Sequence, residues 1–212
     1  MYVKNESTGR RTQEERRAAT RRALLGAARE LFAEGGYHTT AAGEVVRRAG
    51  LTRGAMYHHF EDKEDLFRAV VEELEGEVDG VVLTEARRTL RETSDAWDAF
   101  LAGHRAYLDA CLRPDVRRIL LLDGPAVLGW EEWHEIDAAH AVGQIEAGLE
   151  LMMENGTIER RPARPLAHLL HGAVLEAAMY VAVSEDPETA RDEVWGGLEH
   201  LLEGLLRERR TE

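Results

Sequence analysis

The sequence predicts an all-α protein in two parts. A three-helix head carrying a helix-turn-helix is joined by a fourth helix to a larger helical domain. Three observations lead there. Apolar residues recur at three- and four-residue spacing along most of the 212 residues, without alternating Val/Thr/Tyr-rich runs. Only five prolines interrupt the chain. Charge is unevenly spread: residues 1–60 hold 11 Lys and Arg against 6 Asp and Glu, and the remainder holds 16 against 34, within a net charge of -13. The acidic balance belongs to the C-terminal part, so the N-terminal part is free to meet a polyanion.

Residues 1–15 lack periodicity and read as a flexible basic arm. From Arg16 to Glu34, Leu24, Ala28, Leu31 and Phe32 recur at helical spacing, and the glycine pair at 35–36 gives a C-terminal stop. Thr40 is placed to N-cap a helix over 41–49 with Val45 and Ala49 facing inward. Gly50 supplies the left-handed residue that ends it. Thr52 is placed to cap a second short helix running through Met56 to about His59, with Leu51, Met56 and Phe60 as its core contacts. Asp62 then caps a further helix from Lys63 to about Glu77, with Asp65 completing an imperfect capping box. The head is thus assigned to residues 16–78, its helix-turn-helix to about 41–60, and the larger domain to 79–212.

A helix, a short turn around a glycine and a second helix also describe an ordinary αα-hairpin. Here the second helix is too short to serve as a packing element, and its outward positions (Arg53, Gly54, Ala55, Tyr57, His58) are small or hydrogen-bonding. Both features favour a helix that enters the DNA major groove. The segment ALLGAARELFAEGGYHTTAAGEVVRRAGLTRGAMYHHFEDKEDLF, residues 23–67, resembles the N-terminal domain of the TetR family of bacterial transcriptional regulators. The matching features are A-x-E-L-F-x-x-x-G-Y on the first helix, A-G-L-T-x-G at the turn, and Y-x-H-F-x-x-K-E-x-L entering the fourth. Ala41 stands where the family often places a phosphate-binding Ser or Thr, and Gly43 where a longer polar side chain is common. That leaves Thr40 and neighbouring backbone amides for phosphate contact from the second helix.

Within such a motif Arg53 is the candidate for a guanine or phosphate contact. Thr52, Gly54 and Ala55 let the helix come close to DNA, Ala55 within reach of a thymine methyl. His58 is assigned to DNA, while His59 and Phe60 are assigned to packing. The resemblance implies phosphate contacts from Tyr57 and Lys63. Arg47 and Arg48 read as a solvated face near the backbone.

In the larger domain the apolar stripes carry polar residues. Trp97, Phe100, His104, Leu108 and Cys111 share one face near 95–111, and Trp133, Ile136, His140, Gln144, Ala147 and Leu151 share another over 132–153. The stretch 166–183 is apolar nearly all round, with Glu176 and Tyr180 together on one side. Buried polar groups need partners, and these can satisfy one another. As a set, Trp97, Phe100, His104, Trp130, Trp133, His140, Gln144, Glu176 and Tyr180 suggest a small-molecule pocket, with the break at 123–130 shaping one wall. The last two helices are candidates for a dimer interface, through Gly172, Ala173, Ala177, Val194, Leu198, Leu201 and Leu205; the resemblance implies a four-helix bundle across a two-fold axis.

No Gly-rich phosphate loop, nucleophile elbow or H-E-x-x-H occurs, so an enzyme is not expected. His168 and His171 lie one turn apart without a Cys/His array around them, and no metal or cofactor is expected. The single cysteine, Cys111, suits a reducing cytoplasm, and the polar, Arg-rich N-terminus does not read as a secretory signal. The longest aliphatic run, from Ile119, is broken by Asp, Gly and Pro and does not read as a membrane span. The expectation is a cytoplasmic homodimer that binds a palindromic DNA operator as a repressor and is released by a small molecule, apolar or aromatic with a few polar groups. The rival is an all-α small-molecule-binding or enzymatic dimer that has lost DNA binding.

Overall fold

Thr12 opens the first helix. Its hydroxyl accepts the Glu15 amide at 3.2 Å while the Glu15 carboxylate accepts the Thr12 amide at 2.7 Å, a reciprocal capping box. The computed structural model describes residues 12–206. Residues 12–15, expected in the arm, therefore begin α1 (Gln13–Gly35), and the rest of the arm lies outside the described residues. Then come α2 (Ala42–Arg48), α3 (Arg53–Tyr57), α4 (Lys63–Thr93), α5 (Ala96–Cys111), a π-helical segment (Val116–Asp123), α6 (Gly124–Leu128), α7 (Trp130–Glu154), α8 (Ala163–Val183) and α9 (Pro187–Glu203).

In the head, Leu24, Leu25, Ala28, Leu31 and Phe32 of α1 are buried with Val45 and Val46 of α2, Met56 of α3, and Leu66, Phe67 and Val70 of α4. Edge-to-face contact of Phe32 with Phe67, 5.2 Å between ring centres, fixes the crossing of α1 over α4. Gly50 adopts φ +67, the left-handed turn between α2 and α3 that a side chain would strain. Asp62 caps α4 through the Asp65 amide at 2.8 Å, and Asp65 returns the bond to the Glu61 amide rather than to Asp62.

The expected end of α4 near Glu77 is corrected: the helix continues for 31 residues until Ser94 turns left-handed at φ 56. Gly76 and Gly80 lie inside it; each costs about 1 kcal/mol relative to Ala, which packing along α5 overrides. The boundary drawn at 78–79 thus falls within a continuous rod roughly 46 Å long at 1.5 Å per residue.

α8 is long and apolar enough to cross a bilayer by length and composition alone. In this fold it lies against α7 and α9 and buries Ala167, Val174, Leu175, Ala178, Val181 and Ala182. The expected break after Ile119 becomes the π-helical segment and α6. Arg117 of that segment donates to the carbonyls of Ala182 (2.6 Å) and Ser184 (3.3 Å), satisfying the open C-terminal end of α8 with a cation.

The segment is also pinned to the head. Arg29 of α1 donates to Asp115 at 2.6 and 3.0 Å and to Glu77 of α4 at 2.7 Å. Burial pushes the Asp115 carboxyl up, but hydrogen bonds from Arg29, Arg113 and the Val116 amide outweigh it and hold it below the ordinary carboxylate range. A depressed folded-state value means the stabilisation is present at neutral pH and is lost as pH falls through the acid range. Asp115→Asn should therefore lower unfolding stability in urea by about 1–3 kcal/mol at neutral pH. The gap to the native chain should close below about pH 4. A gap that stays constant with pH contradicts this account of the pin.

Candidate nucleic-acid interface and adjoining cavity

The candidate recognition helix is α3, five residues long and N-capped as expected by the Thr52 hydroxyl, which accepts the Ala55 amide at 3.3 Å. Met56 turns inward and is fully buried. Thr52, Arg53, Gly54, Tyr57 and His58 are exposed and Ala55 is half-buried. Among the described residues Arg53 forms no ion pair, whereas Arg48 is bound to Glu30 (3.2 Å) and Glu34 (3.5 Å) of α1. Arg47 faces Glu44 at 3.4 Å. His59 is half-buried beside α1, and its imidazole is pulled down by burial and by His58, Arg17 and Arg21. Arg21 lies over the Phe60 ring at 5.4 Å. The free guanidinium on α3 is thus Arg53, with the phenol of Tyr57 and the imidazole of His58 beside it.

Two assignments are changed by partners distant in sequence. Thr40 does not cap α2: the N-cap residue is Ala41, without a side-chain bond. The Thr40 hydroxyl is buried and points back to the carbonyls of Gly36 (2.8 Å) and Leu31 (3.3 Å), closing the last turn of α1. The Thr40 hydroxyl is therefore not free for phosphate, and its amide already donates to the Tyr37 carbonyl at 3.3 Å. Lys63 is likewise engaged inside the head. Its ammonium donates to the carbonyls of Tyr37 (2.9 Å) and Thr40 (3.1 Å) and sits 3.8 Å from the centre of the Tyr37 ring. Burial pulls it below the ordinary lysine range. Lys63 clamps the 37–40 loop, which leaves one N–H for an outside partner.

The same loop meets the second half of the molecule. Asp123, at the end of the π-helical segment and buried, accepts the Tyr37 amide at 2.8 Å and Arg118 at 3.2 Å. Gly36 has φ +82, and the Arg118 guanidinium lies where a Cβ would stand. The positive φ favours glycine there, and a side chain would also displace the guanidinium.

Between α4, α5, α7 and α8 lies a cavity of about 420 Å³, within the range of roughly 300–1,000 Å³ usual for small-molecule sites. Its walls are mostly apolar, with Val78, Val82, Phe100, Ile145, Val174 and Leu175, and the exposed Arg87 and Leu90 mark its open end. The polar lining is concentrated. His171 Nε2 lies 2.6 Å from Asp137 Oδ2, both deeply buried. His140 Nδ1 lies 3.6 Å from Asp79, and the Gln144 amide donates to Asp79. His104 Nδ1 is 2.7 Å from the Phe100 carbonyl. Glu75 is buried, and burial together with Asp137 and Asp79 pushes its carboxyl up to about 8.

Residues 24–70 match the family described as bacterial regulatory proteins, tetR family. Residues 97–205, about half of the chain, match the tetracyclin repressor-like C-terminal domain. The chain belongs to the TetR family of bacterial transcriptional regulators. It is 35% identical to a TetR-family transcriptional regulator from Pectobacterium atrosepticum, whose crystal structure superposes with a TM-score of 0.81 over 94% of this chain and 100% of that one. It is 28% identical over 204 residues to the transcriptional activator FasR of Mycolicibacterium smegmatis, covering 93% of this chain and 89% of FasR. A shorter match, 41% over 78 residues and 37% of each chain, relates it to the transcriptional repressor BepR of Brucella suis. TetR-family membership makes this a DNA-binding regulator with the all-helical fold expected from its sequence.

Of the residues assigned to a pocket, Phe100, His104, His140 and Gln144 line the cavity of this TetR-family chain. Trp97 stands outside the lining and packs on Phe100, with ring centres 6.4 Å apart. Trp133 is buried elsewhere, its ring tight against Gly124, and Trp130 beside it is 60% exposed. Glu176 and Tyr180 are on the outer face of α8 and belong to no pocket wall. Sequence reasoning missed Glu75, Asp79, Asp137 and His171. The signal was there: Glu75 lies one turn from Val71 and Val78 on the apolar stripe of α4, and Asp137 one turn from Trp133 on α7. Of the residues assigned to a dimer interface, Ala177 and Leu198 point into the protomer core, and Ala173, Val194 and Leu205 are half-buried. Gly172 and Leu201 remain exposed.

The Lys63 clamp has a direct consequence for the head. Lys63→Met removes a charged donor from two carbonyls and should cost about 1–3 kcal/mol of stability in urea without DNA present. Lys63→Arg, which keeps the charge, should recover part of it. Equal midpoints for the native chain and Lys63→Met rule out the clamp.

Proposed function

We propose that this TetR-family protein is a cytoplasmic, dimeric repressor that binds a palindromic operator and is released when a small molecule fills the cavity. The observation that carries the reading is the continuity of α4. Lys63 at its start organises the loop beside the recognition motif, and Glu75 to Leu90 further along it line the cavity. A molecule that moves one end of a rigid helix moves the other.

Two heads are needed, because one short recognition helix offers too little contact for specific binding. Dimerisation is supported by an uncovered apolar face: Leu169, Tyr180 and Val183 of α8 and Leu201 of α9 are each more than half exposed, around the small Gly172. A second copy laid on this face forms a two-fold bundle that sets the recognition helices about 34–36 Å apart, one turn of DNA. Arg53, Tyr57 and His58 then meet the major groove and its flanking phosphates, with Thr52, Gly54 and Ala55 at the close approach. Occupying an operator is enough to exclude polymerase, whereas activation asks for a further contact surface. A mostly apolar effector with a few hydrogen-bonding groups suits the cavity, and it releases DNA only through better binding to a state with wrongly spaced heads.

Selection of genomic fragments with the purified protein tests the reading, and a palindromic motif with half-sites one turn apart is the expected result. Against that motif Arg53→Ala should lose about 1–3 kcal/mol of affinity and relax preference at one base pair per half-site. Leu201→Asp should give monomers in sedimentation and abolish operator binding while the isolated fold persists. A native chain that shows no sequence preference, or that sediments as a monomer at micromolar concentration, sinks the repressor reading.

A further inference from the structure

We propose that the cavity takes a protonated primary or secondary amine on an apolar body, its N–H groups directed at Glu75, His104 and Gln144. The proposal rests on the reading of the cavity as the effector site and names the chemical class of the effector.

The polar lining sorts into groups with partners and groups without. Asp137 has His171, and Asp79 has His140 and the Gln144 amide. Three atoms remain. Glu75 is 5% exposed, lines the cavity, and forms no ion pair or side-chain hydrogen bond among the described residues. The His104 ring is buried with Nδ1 on the Phe100 carbonyl, which requires the proton on that nitrogen and leaves Nε2 as an acceptor without a partner. Gln144 uses its amide nitrogen on Asp79, and its Oε1 is buried and unpartnered. His104 Nε2 and Gln144 Oε1 are acceptors that lack donors, and the Glu75 carboxyl becomes a third once it ionises. Unmet buried acceptors are costly, and a ligand that brings N–H groups is favoured.

Charge selects among donors. Three acidic side chains, Glu75, Asp79 and Asp137, line one small cavity, and Glu75 ionises there at neutral pH only beside a positive charge, so a cation is favoured over an anion. A quaternary ammonium carries charge but no N–H, and a neutral alcohol supplies one donor and no charge. An ammonium or dialkylammonium group supplies two or three N–H donors and one positive charge. The apolar walls of Val78, Val82, Phe100, Val174 and Leu175 receive the rest of the molecule.

The chemistry sets a pH dependence. The groups that face Glu75 are Asp79 on its own helix, His104, Tyr107 and Cys111 from α5, Asp137 and His140 from α7, and His171 from α8. With burial first and Asp137 and Asp79 next, its carboxyl is held up to about 8, so near neutrality it is mostly protonated in the empty cavity. A cation binds the ionised form, so amine binding expels a proton and tightens as pH rises, by up to about tenfold per unit below the Glu75 value. Neutral ligands lack this slope.

The test is calorimetric titration of the full chain with phenylbutylamine, phenylbutanol, phenylbutyrate, phenylbutyl-trimethylammonium and zinc chloride, across neutral pH. The expected result is binding of the amine about tenfold or more tighter than the alcohol and the quaternary analogue, with proton release measured in buffers of different ionisation enthalpy. Glu75→Gln should abolish the pH slope and weaken the amine by a similar factor while leaving the alcohol unchanged; Asp79→Asn is the second variant if the first does not fold. Equal binding of amine and alcohol, preference for the acid, saturable binding of zinc alone, or no amine binding at millimolar concentration each overturns the proposal. Operator release in the same titrations separates the two readings. Amine binding without release removes the effector role and keeps the ligand class, and release by the alcohol in the absence of amine binding does the reverse.

Discussion

One uninterrupted helix belongs to both halves of the molecule. α4 begins under the head, where Asp62 caps it and Leu66, Phe67 and Val70 are buried against α1, and it ends as a wall of the cavity. A flexible linker between the same two halves would let each relax independently, and occupancy of the cavity could not reach the recognition helix. The rest of the structure follows from keeping this rod straight and held. α5 packs along it, which keeps it helical through the exposed Gly76 and Gly80, and Arg29 ties α1 to it through Glu77.

A second connection joins the two halves beside the rod. The π-helical segment reaches the head through two acidic residues with different partners: Asp115 takes Arg29 on α1, and Asp123 takes the Tyr37 amide in the loop that Lys63 clamps. Both acids sit at the ends of one short, irregular element, a π-helical turn of the rare kind often found at functional sites. The same segment carries Arg117 into the end of α8 and leads through α6 into α7, whose Asp137, His140 and Gln144 line the cavity. The head is thus held at two places, by α4 directly and by the segment that continues into the opposite cavity wall.

What was legible in the sequence was local. Gly50 at its turn, Thr52 capping α3 and Asp62 capping α4 are chemistry within three or four residues, and each is found where the pattern put it. The N-terminal half also carried enough specific positions to reveal the family, and inward-facing His140 and Gln144 could be read from the stripe of α7. What was illegible depends on partners far along the chain. Thr40 looks like a cap until the end of α1 claims its hydroxyl, and Lys63 looks free until Tyr37 and Thr40 do the same. α8 is apolar on nearly every side, so periodicity could not say which face holds His171 and which holds Glu176 and Tyr180; the first lies in the cavity wall and the others face outward. Glu75 was read past because a single acid in a glutamate-rich helix looks solvated, although its position falls on the buried stripe.

The distances constrain how a bound molecule can act under the proposed reading. A hydrogen bond at 2.8 Å to a buried carboxylate weakens steeply once donor and acceptor part by even about 1 Å. Asp123 cannot follow the Tyr37 amide freely, because Arg118 holds the same oxygen and is itself wedged over Gly36. Movement of α7 away from α4, as a cavity opens around a guest, therefore has two outcomes and few intermediates. Either the seam holds and the head turns with α7, or the seam parts and the head is left to α4 and Arg29. Either outcome would alter the angle between α3 and the exposed face of α8 and α9 on which the proposed dimer rests. A guest that fits without moving α7 against α4 makes equal contact with both states and leaves the equilibrium where it was. Under the proposed ligand chemistry, the polar groups on both of those helices, Glu75 on one and Gln144 on the other, would give a donor-rich guest unequal purchase on the two states.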